Sequence, residues 1–324
     1  MTKTALSQLK AALGDGKLFT DPEVLQTRRH DYWMVSHLRD RQGVPGPAPA
    51  CVVRPASVAD VQATVRIATA TGTALIPFGL GSGVVGGVIA SPDAIVLDVG
   101  AMNAVRFIDP ENLLASFDAG KNGLEAEQAV AAQGLTIGHW PQSIAVSTVG
   151  GWIATRASGQ FSTAYGNIED LVYAVEAVLP DGTLVTFGKG PRASAGPDLR
   201  HLMMGSEGTL GVITGVTLSL RRAGEKRAVS AFSAPDMRSG FSYQRELVQS
   251  GWSPPVMRQY DERESGRLHE AARACTVVMV HEGPAELVKV EKAAAARLAK
   301  AQGLASLPDA IVEHWLEHRN HVAP

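Results

Sequence analysis

Four segments rich in glycine and small polar residues constrain this chain more than any other feature of its sequence. They lie at 77–87, 141–159, 165–170 and 205–214. Glycine lets backbone N–H groups approach phosphate oxygens with no side chain between them. One such loop is ordinary in a hairpin. Four of them in one region indicate a large ligand that is held mainly by backbone groups.

The first segment contains a pattern that resembles a nicotinamide-dinucleotide motif. Gly81, Gly83 and Gly86 satisfy G-x-G-x-x-G directly after a predicted strand. That motif requires a helix to begin at the third glycine, so that the N-terminus of the helix faces the pyrophosphate. Residues 87–92, which end in Ser-Pro, do not begin a helix of useful length. We therefore predict that this chain has no Rossmann fold.

The hydrophobic spacing predicts a mixed architecture. A strand at 51–53, a helix capped by Ser57 and a strand at 74–78 form a βαβ-like opening. Further strands are predicted at 94–99, 105–108, 113–117, 175–179, 183–187 and 212–220, and a helix at 122–133. Asp181-Gly182 is a strong hairpin signal. Short strands joined by hairpins predict an α+β fold with an antiparallel sheet.

The composition changes near Arg221, and we predict three regions along the chain. These are an N-terminal lead-in at 1–50, a ligand-binding domain at 51–221 and a partial substrate domain at 222–324. In the last region a helix is expected at 286–302. Its periodicity places one apolar stripe on the helix, formed by Leu287, Val290, Ala294 and Leu298.

The lead-in carries a cluster of basic and aromatic residues between Arg28 and Arg41. We interpret this cluster as the solvated face of a short helix. The alternative is an arm that folds over the active site.

Charge and composition limit the partners. The formal net charge of -2 gives no reason to expect nucleic acid, and two cysteines form no disulfide framework. The longest apolar stretch, 84–99, is interrupted by glycine and proline and cannot supply the ~20 apolar residues of a membrane span. No targeting segment is visible. We expect a soluble cytoplasmic protein with a small-molecule partner, and we leave a homodimer open.

Several segments carry a resemblance to a known family. Four segments resemble, in the same order, the flavin-contacting segments of the vanillyl-alcohol oxidase and p-cresol methylhydroxylase (PCMH) superfamily. They are the sequence at 77–83, the run Ser147-Thr148-Val149-Gly150-Gly151, the run Tyr165-Gly166-Asn167 and the sequence at 207–214. Within this superfamily, the sequence at 155–159, among other segments, is similar to that of the alkylglycerone-phosphate synthases. The resemblance implies a PCMH-type FAD-binding domain of two α/β subdomains, followed by a substrate (cap) domain.

The resemblance also implies where noncovalent FAD is bound. The residues that match the flavin-contacting segments are Pro77, Phe78, Gly79, Leu80, Gly81, Ser82, Gly83, Pro141, Gln142, Ser143, Ser147, Thr148, Gly150, Gly151, Thr155, Arg156, Ala157, Ser158, Glu207, Gly208, Thr209, Gly211, Val212 and Ile213. Leu80 departs from the family pattern, which usually has glycine there. Hydroxyls and backbone amides of this set can donate to phosphate and to flavin carbonyls.

Outside these segments, Arg258 resembles an arginine that lies near the flavin in the synthases, and it is the candidate for the catalytic site. Its guanidinium can bind a carboxylate or phosphate in a bidentate manner, and the alternative is a surface salt bridge. His139 is interpreted as a structural histidine. His314, His318 and His321 have helical spacing, but we interpret them as an exposed polar face and expect no metal.

These observations predict an FAD-dependent oxidoreductase in which the flavin accepts a hydride from an alcohol or 2-hydroxy acid, with an anionic substrate. Two alternatives remain open. One is a transferase similar to the alkylglycerone-phosphate synthases, with flavin as a covalent carrier. The other is a catalytically silent FAD-binding module, because the histidine cluster and tyrosine that the family carries near its C-terminus have no counterpart before Pro324.

Overall fold

The computed structural model describes residues 3–188, 190, 194–269 and 274–320. The chain divides into two compact units that are interleaved along the sequence. The first unit consists of residues 1–137, 143–157 and 168–221. The second consists of residues 138–142, 158–167 and 222–324.

The helices and strands follow one another along the chain in a mixed order. Up to residue 98 they are α1 (Lys3–Leu13), β1 (Leu18–Phe19), α2 (Pro22–Gln26), α3 (Met34–Arg41), β2 (Cys51–Val53), α4 (Val58–Thr71), β3 (Leu75–Phe78) and β4 (Ile95–Asp98). Up to residue 222 they are β5 (Val105–Asp109), β6 (Leu114–Asp118), α5 (Gly123–Ala131), β7 (Leu135–Thr136), α6 (Val149–Thr155), α7 (Ser162–Tyr165), α8 (Ile168–Leu171), β8 (Val172–Val178), β9 (Leu184–Phe187), α9 (Arg200–Met203), β10 (Val212–Ser219) and β11 (Arg221–Arg222). The remainder are β12 (Lys226–Ala234), α10 (Met237–Gln249), β13 (Val256–Tyr260), α11 (Glu262–Leu268), β14 (Cys275–Gly283), α12 (Ala285–Ala301), β15 (Ala305–Leu307) and α13 (Ala310–His318). In the part of the chain that the structure describes, no helix is both long and apolar enough to cross a membrane.

The first sheet of the first unit has the strand order β1-β2-β4-β3. Strands β2, β4 and β3 are parallel, as a βαβ connection requires, and β1 is antiparallel to β2. Helix α4 begins where the sequence predicted it, because the Ser57 hydroxyl accepts a hydrogen bond from the N–H of Asp60 at 3.2 Å. The Asp60 carboxylate in turn binds Lys17 at 2.8 Å, which ties the helix to the preceding segment.

The second sheet of the first unit is antiparallel, with the order β5-β6-β10-β8-β9. The predicted hairpin joins β8 to β9, and its turn depends on Gly182, which has a φ of +81°. The Asp181 carboxylate accepts from the N–H of Thr183 at 2.8 Å and stabilises the turn. One mainly parallel and one antiparallel sheet confirm the predicted α+β class.

The second unit is built on an antiparallel sheet with the order β13-β14-β12-β15. Strands β12 and β14 pair along nine residues, from Lys226 to Ala234. Helices α10 and α12 pack on this sheet through an apolar cluster that includes Tyr243, Leu247 and Ala295, all fully buried. This cluster gives the second unit a core of its own.

The predicted apolar stripe of helix α12 is confirmed in its second half, where Ala294 is buried and Leu298 packs against the core cluster, and is wrong in its first half. Leu287 and Val290 are about half exposed, whereas Val288 and Glu291 face the core. The cause is a buried polar contact between the helix and the sheet, which the hydrophobic periodicity of the helix does not reveal. The Glu291 carboxylate lies 2.7 Å from Nδ1 of His281, a fully buried histidine of β14. Nε2 of His281 lies 3.0 Å from the hydroxyl of Ser230 on β12.

Replacing Glu291 with glutamine should lower the free energy of unfolding by about 1–2 kcal/mol, because the charge-assisted bond to His281 becomes a neutral one. Urea unfolding followed by circular dichroism measures the change. Glu286→Gln, at an exposed position of the same helix, is the control and should change stability by less than about 0.5 kcal/mol. Equal effects of the two substitutions would show that the buried pair adds no stability.

Candidate functional site

The first wall of the candidate site is the loop that follows β3. It contains no helix up to β4, which confirms that the G-x-G-x-x-G pattern here does not make a Rossmann turn. A Cβ on Gly79 would lie 2.6 Å from the Thr148 hydroxyl, so a side chain here would displace Thr148. Gly81 has a φ of +69°, and a Cβ there would lie 2.7 Å from the ring of Phe78. The loop therefore exposes its backbone to the cavity described below.

The second wall is the segment that leads into α6. The Thr148 hydroxyl caps this helix by accepting from the N–H of Gly151 at 3.1 Å. The buried hydroxyl of Ser147 accepts from the indole N–H of Trp152 at 2.8 Å. Each hydroxyl still has its own proton to donate to a ligand. Gly150 lets α6 approach closely, since a Cβ there would lie 2.6 Å from that of Ala119.

The third wall lies between α9 and β10, where the backbone is strained. Glu207 has a φ of +46° and Arg156, at the end of α6, has a φ of +50°. A left-handed conformation is unfavourable for residues other than glycine, and strain of this kind concentrates at functional sites. Hydrogen bonds hold the two segments together, from the N–H of Glu207 to the carbonyl of Ala154 and from the Arg156 guanidinium to the carbonyl of Met204.

The three walls enclose a cavity of about 350 Å³ in the first unit. This volume is in the range of small-molecule and cofactor sites. All but five of the residues that the sequence predicted as cofactor contacts line it: Pro77, Phe78, Gly79, Leu80, Gly81, Ser82, Gly83, Ser143, Ser147, Thr148, Gly150, Gly151, Thr155, Ala157, Glu207, Gly208, Gly211, Val212 and Ile213. The structure thus brings together segments that are more than a hundred residues apart.

Five predicted contacts lie elsewhere. Arg156 and Thr209 belong to the first unit but do not line the cavity. Pro141, Gln142 and Ser158 belong to the second unit, where the Ser158 hydroxyl donates to the side-chain oxygen of Asn167 at 2.7 Å. The assignment of these five residues to the cofactor stays a prediction.

The N-terminal arm, which we define as residues 26–41, also contributes to the cavity. Its residue Asp31 lines the cavity and is only 3% exposed. The N–H of Asp31 donates to the carbonyl of Val88, and His30 forms a β-bridge with Ile89. The interpretation as a solvated face holds for helix α3, in which no residue is buried, but is wrong for the segment around Asp31, which folds onto the glycine-rich loop. The basic and aromatic residues were the only sequence signal for it.

In the second unit, the candidate residue Arg258 lies on β13 and is partly buried. Its guanidinium carbon is 5.7 Å from the ring centre of Tyr260 and 5.9 Å from that of Trp315. A second arginine, Arg319, lies 5.8 Å from the same Trp315 ring. Sequence reasoning missed Arg319, because it is sixty-one residues away along the chain and no motif surrounds it.

Arg319 is held in an unfavourable environment for a cation. Burial lowers its pKa to about 10, and the nearby charges of Arg227 and Arg258 add to that effect. Glu282 opposes the shift, but it already binds Arg227 at 3.0 Å and accepts from the Tyr165 hydroxyl at 3.1 Å. Among the described residues, Nε of Arg319 has no hydrogen-bond partner. Three arginines and one carboxylate therefore leave an excess of positive charge.

The histidines differ in their surroundings. His139 is fully buried, and burial lowers its pKa to about 4, so it is neutral near pH 7. This agrees with the predicted structural role. His314 and His318 are exposed on α13, with ligand atoms within 4.8 Å of each other and of Glu317. His321 lies outside the described residues, and the expectation that this cluster holds no metal stays a prediction.

A family model and a curated relative both indicate an FAD cofactor. The family described as "FAD binding domain" matches residues 49–188. An uncharacterized FAD-linked oxidoreductase, YgcU of Escherichia coli K12, is 33% identical over 321 residues, which are 97% of this chain and 66% of that protein. A D-lactate dehydrogenase of Archaeoglobus fulgidus is 31% identical over 258 residues, which are 78% of this chain and 57% of that enzyme.

A solved structure of an alkyldihydroxyacetonephosphate synthase has a similar fold. It superimposes with a TM-score of 0.87 over 99% of this chain and 63% of the synthase, at 26% sequence identity. The chain therefore spans 57–66% of the length of these proteins.

Proposed function

Because the chain belongs to the vanillyl-alcohol oxidase and PCMH superfamily of FAD-linked oxidoreductases, we propose that it is the FAD-binding part of an enzyme that oxidises an alcohol or 2-hydroxy acid with an anionic group. Bound FAD supplies the hydride acceptor. The protein supplies the binding sites for the cofactor and for the anionic end of the substrate.

The cavity of the first unit fits FAD as its cofactor. A Cβ at Gly79 or Gly81 would clash with Thr148 or Phe78, so the loop packs closely here and its backbone amides are available to the pyrophosphate. The hydroxyls of Ser147 and Thr148 accept one hydrogen bond each and retain their own proton to donate to the cofactor. The backbone at the start of β10 also lines the cavity, although it lies far along the sequence from the glycine-rich loop. It offers N–H and carbonyl groups to the edge of a cofactor ring. We assign these groups to cofactor binding.

The arginine cluster of the second unit carries the proposal of an anionic substrate. Arg258 and Arg319 lie against one tryptophan ring. Among the described residues, Glu282 is the carboxylate that raises the pKa of Arg319, and it is bound to a third arginine. A carboxylate or phosphate from the substrate would relieve this repulsion and accept from both guanidiniums. The D-lactate dehydrogenase among the relatives supports a 2-hydroxy acid.

A transferase reaction is the second candidate, since the same arginine pair suits the phosphate of a phosphorylated ketone and a synthase has the same fold. Anaerobic titration of the full-length protein distinguishes the two. Bleaching of the oxidised flavin absorbance by D-lactate or another 2-hydroxy acid supports the oxidoreductase. A spectral shift with phosphorylated ketones and no bleaching by hydroxy acids supports the transferase. No response to either class would leave an FAD-binding module.

Replacing Arg258 with methionine should weaken binding of anionic substrates about ten- to a hundredfold, because a charge-assisted bond contributes ~1.5–3 kcal/mol. Lysine should restore only part of the loss, since an ammonium group lacks the planar fork of guanidinium. The measurement is titration of the flavin absorbance in the full-length protein. FAD affinity should not change.

Arg245→Met, at an exposed position of α10, is the matched control and should bind substrates as the unmodified protein does. If Arg258→Met bound them equally well, the anion would have to be held elsewhere.

A further inference from the structure

Glu282, the carboxylate near the arginine pair of the second unit, is held by two other residues. Glu282 of β14 and Arg227 of β12 are partners across the antiparallel sheet, and Oε1 of Glu282 lies 3.0 Å from the Arg227 guanidinium. Oε2 accepts a hydrogen bond from the Tyr165 hydroxyl at 3.1 Å. Each carboxylate oxygen therefore has a donor of its own, and the two donors together fix the direction in which the carboxylate points.

The aliphatic part of Glu282 is fixed as well. A Cβ at Gly224 would lie 2.5 Å from Cγ of Glu282, so the chain before β12 packs directly on this side chain. Tyr165 comes from a separate segment, residues 158–167, which is inserted into the second unit. Its hydroxyl is thus brought to Glu282 from a position 117 residues away along the chain.

The two arginines of the pair are not bound to this carboxylate. Among the described residues, the Arg258 guanidinium has no hydrogen bond and no ion pair, and it lies against the rings of Tyr260 and Trp315. Arg319 donates to the side-chain oxygen of Gln160 at 2.6 Å. An aromatic face attracts a cation but offers no directed acceptor to its N–H groups. Arg258 therefore keeps its donors for an anion.

Glu282 nevertheless lies close enough to act on the pair through space. Burial lowers the pKa of Arg319 most and Arg227 and Arg258 lower it further, whereas Glu282 raises it. A carboxylate released from its two donors would be drawn to these guanidiniums, with which carboxylates form strong bidentate pairs. It would then occupy the donors that an anionic substrate needs.

We propose that Arg227 and Tyr165 are positioning residues for the substrate anion. They hold the Glu282 carboxylate away from Arg258 and Arg319, and so keep both guanidiniums available. Neither positioning residue has to touch the anion for this role. The proposal rests on the anion site of the proposed function and adds the residues that keep this site open.

The test is calorimetric titration of the FAD-loaded full-length protein with oxalate and with inorganic phosphate, anions that have no C–H bond to donate to the flavin. Tyr165→Phe removes one hydrogen bond to Glu282 and leaves every charge in place. It should weaken anion binding about three- to tenfold, as for contacting residues that are coupled. Arg227→Met should weaken binding about tenfold or more, because it frees the other carboxylate oxygen.

The effect of Glu282→Gln separates this role from a structural one. A neutral amide does not compete for the guanidiniums, so this variant should bind the anions at least as tightly as the unmodified protein. In the Glu282→Gln background, Tyr165→Phe and Arg227→Met should each change binding by less than about twofold, because both act through the carboxylate. Arg245→Met, at an exposed position of α10, is the matched control for a lost positive charge and should leave binding unchanged.

The outcomes distinguish this proposal from the anion site on which it rests. If neither anion bound, or if Arg258→Met bound them as well as the unmodified protein does, the anion site would be refuted and the positioning role with it. If Arg258→Met bound them weakly but Tyr165→Phe and Arg227→Met bound them normally, only the positioning role would be refuted. Equal losses with and without Glu282→Gln would also overturn it, since the two residues would then act on the anion or on the fold directly.

Discussion

Replacing Gly81 with valine should lower FAD affinity about a hundredfold, the sum of backbone strain of about 1–2 kcal/mol and the clash of the new side chain. The φ of +69° at this position is unfavourable for a β-branched residue, and a Cβ would lie 2.7 Å from the end of the Phe78 ring. Relief of this clash moves the loop or the ring, and either change alters the wall of the cofactor cavity. Fluorescence titration of the apoprotein with FAD measures the effect.

Gly134→Val is the matched control for this experiment. Gly134 has a φ of +71°, and a Cβ there meets no atom within 4 Å. It therefore introduces the same kind of backbone strain away from the cavity. We expect it to lower stability but to leave FAD affinity within about threefold of the unmodified protein, as for independent sites. Equal losses of affinity in the two variants would show that the loop at 79–83 does not contact the cofactor.

Replacing His139 with leucine should make the protein less sensitive to acid. The folded protein holds this imidazole neutral down to about pH 4, whereas the unfolded chain takes up the proton near pH 6.5. Protons therefore favour unfolding in this window, and His139 lowers stability as the pH falls from 6.5 to 4. At ~1.4 kcal/mol for each pKa unit, the difference amounts to roughly 3 kcal/mol.

The measurement is the free energy of unfolding of both proteins by urea at pH 7 and at pH 4. The drop between the two pH values should be about 3 kcal/mol smaller for His139→Leu, whatever the absolute stability of the variant. His314→Leu, which removes an exposed histidine, should leave the drop unchanged. If His139→Leu lost as much stability in acid as the unmodified protein, His139 would have to be accessible to protons in the folded state.

Features that depend on neighbouring residues were predictable from the sequence. The cap of α4 by Ser57 and the turn at Gly182 follow from residues within four positions of each other, and the structure confirms both. The glycine positions of the cofactor cavity were predictable for a similar reason. At each position glycine is required either by a positive φ or by another chain segment that packs close to the Cα atom. The glycine itself is therefore visible in the sequence as a sign of this requirement.

Features that depend on distant residues were not predictable in this way. The side of α12 that faces the core is decided by His281, which belongs to another strand. The place of Asp31 in the cavity wall depends on a backbone hydrogen bond to Val88. The arginine cluster depends on Trp315 of α13, whose ring lies next to both Arg258 of β13 and Arg319. In each case the partner lies on a separate element, and neither charge nor periodicity along the chain identifies it.

The interleaving of the two units has a consequence for synthesis on the ribosome. Residues 138–142 and 158–167 emerge long before the strands on which they pack. Phe161 is 1% exposed in the finished protein because it lies in a cluster with Val229, Val278 and Trp315. Until translation reaches that tryptophan, the nascent polypeptide carries this ring and its neighbours without their partners. Apolar surface of this kind is where chaperones bind and where early termination would lead to aggregation.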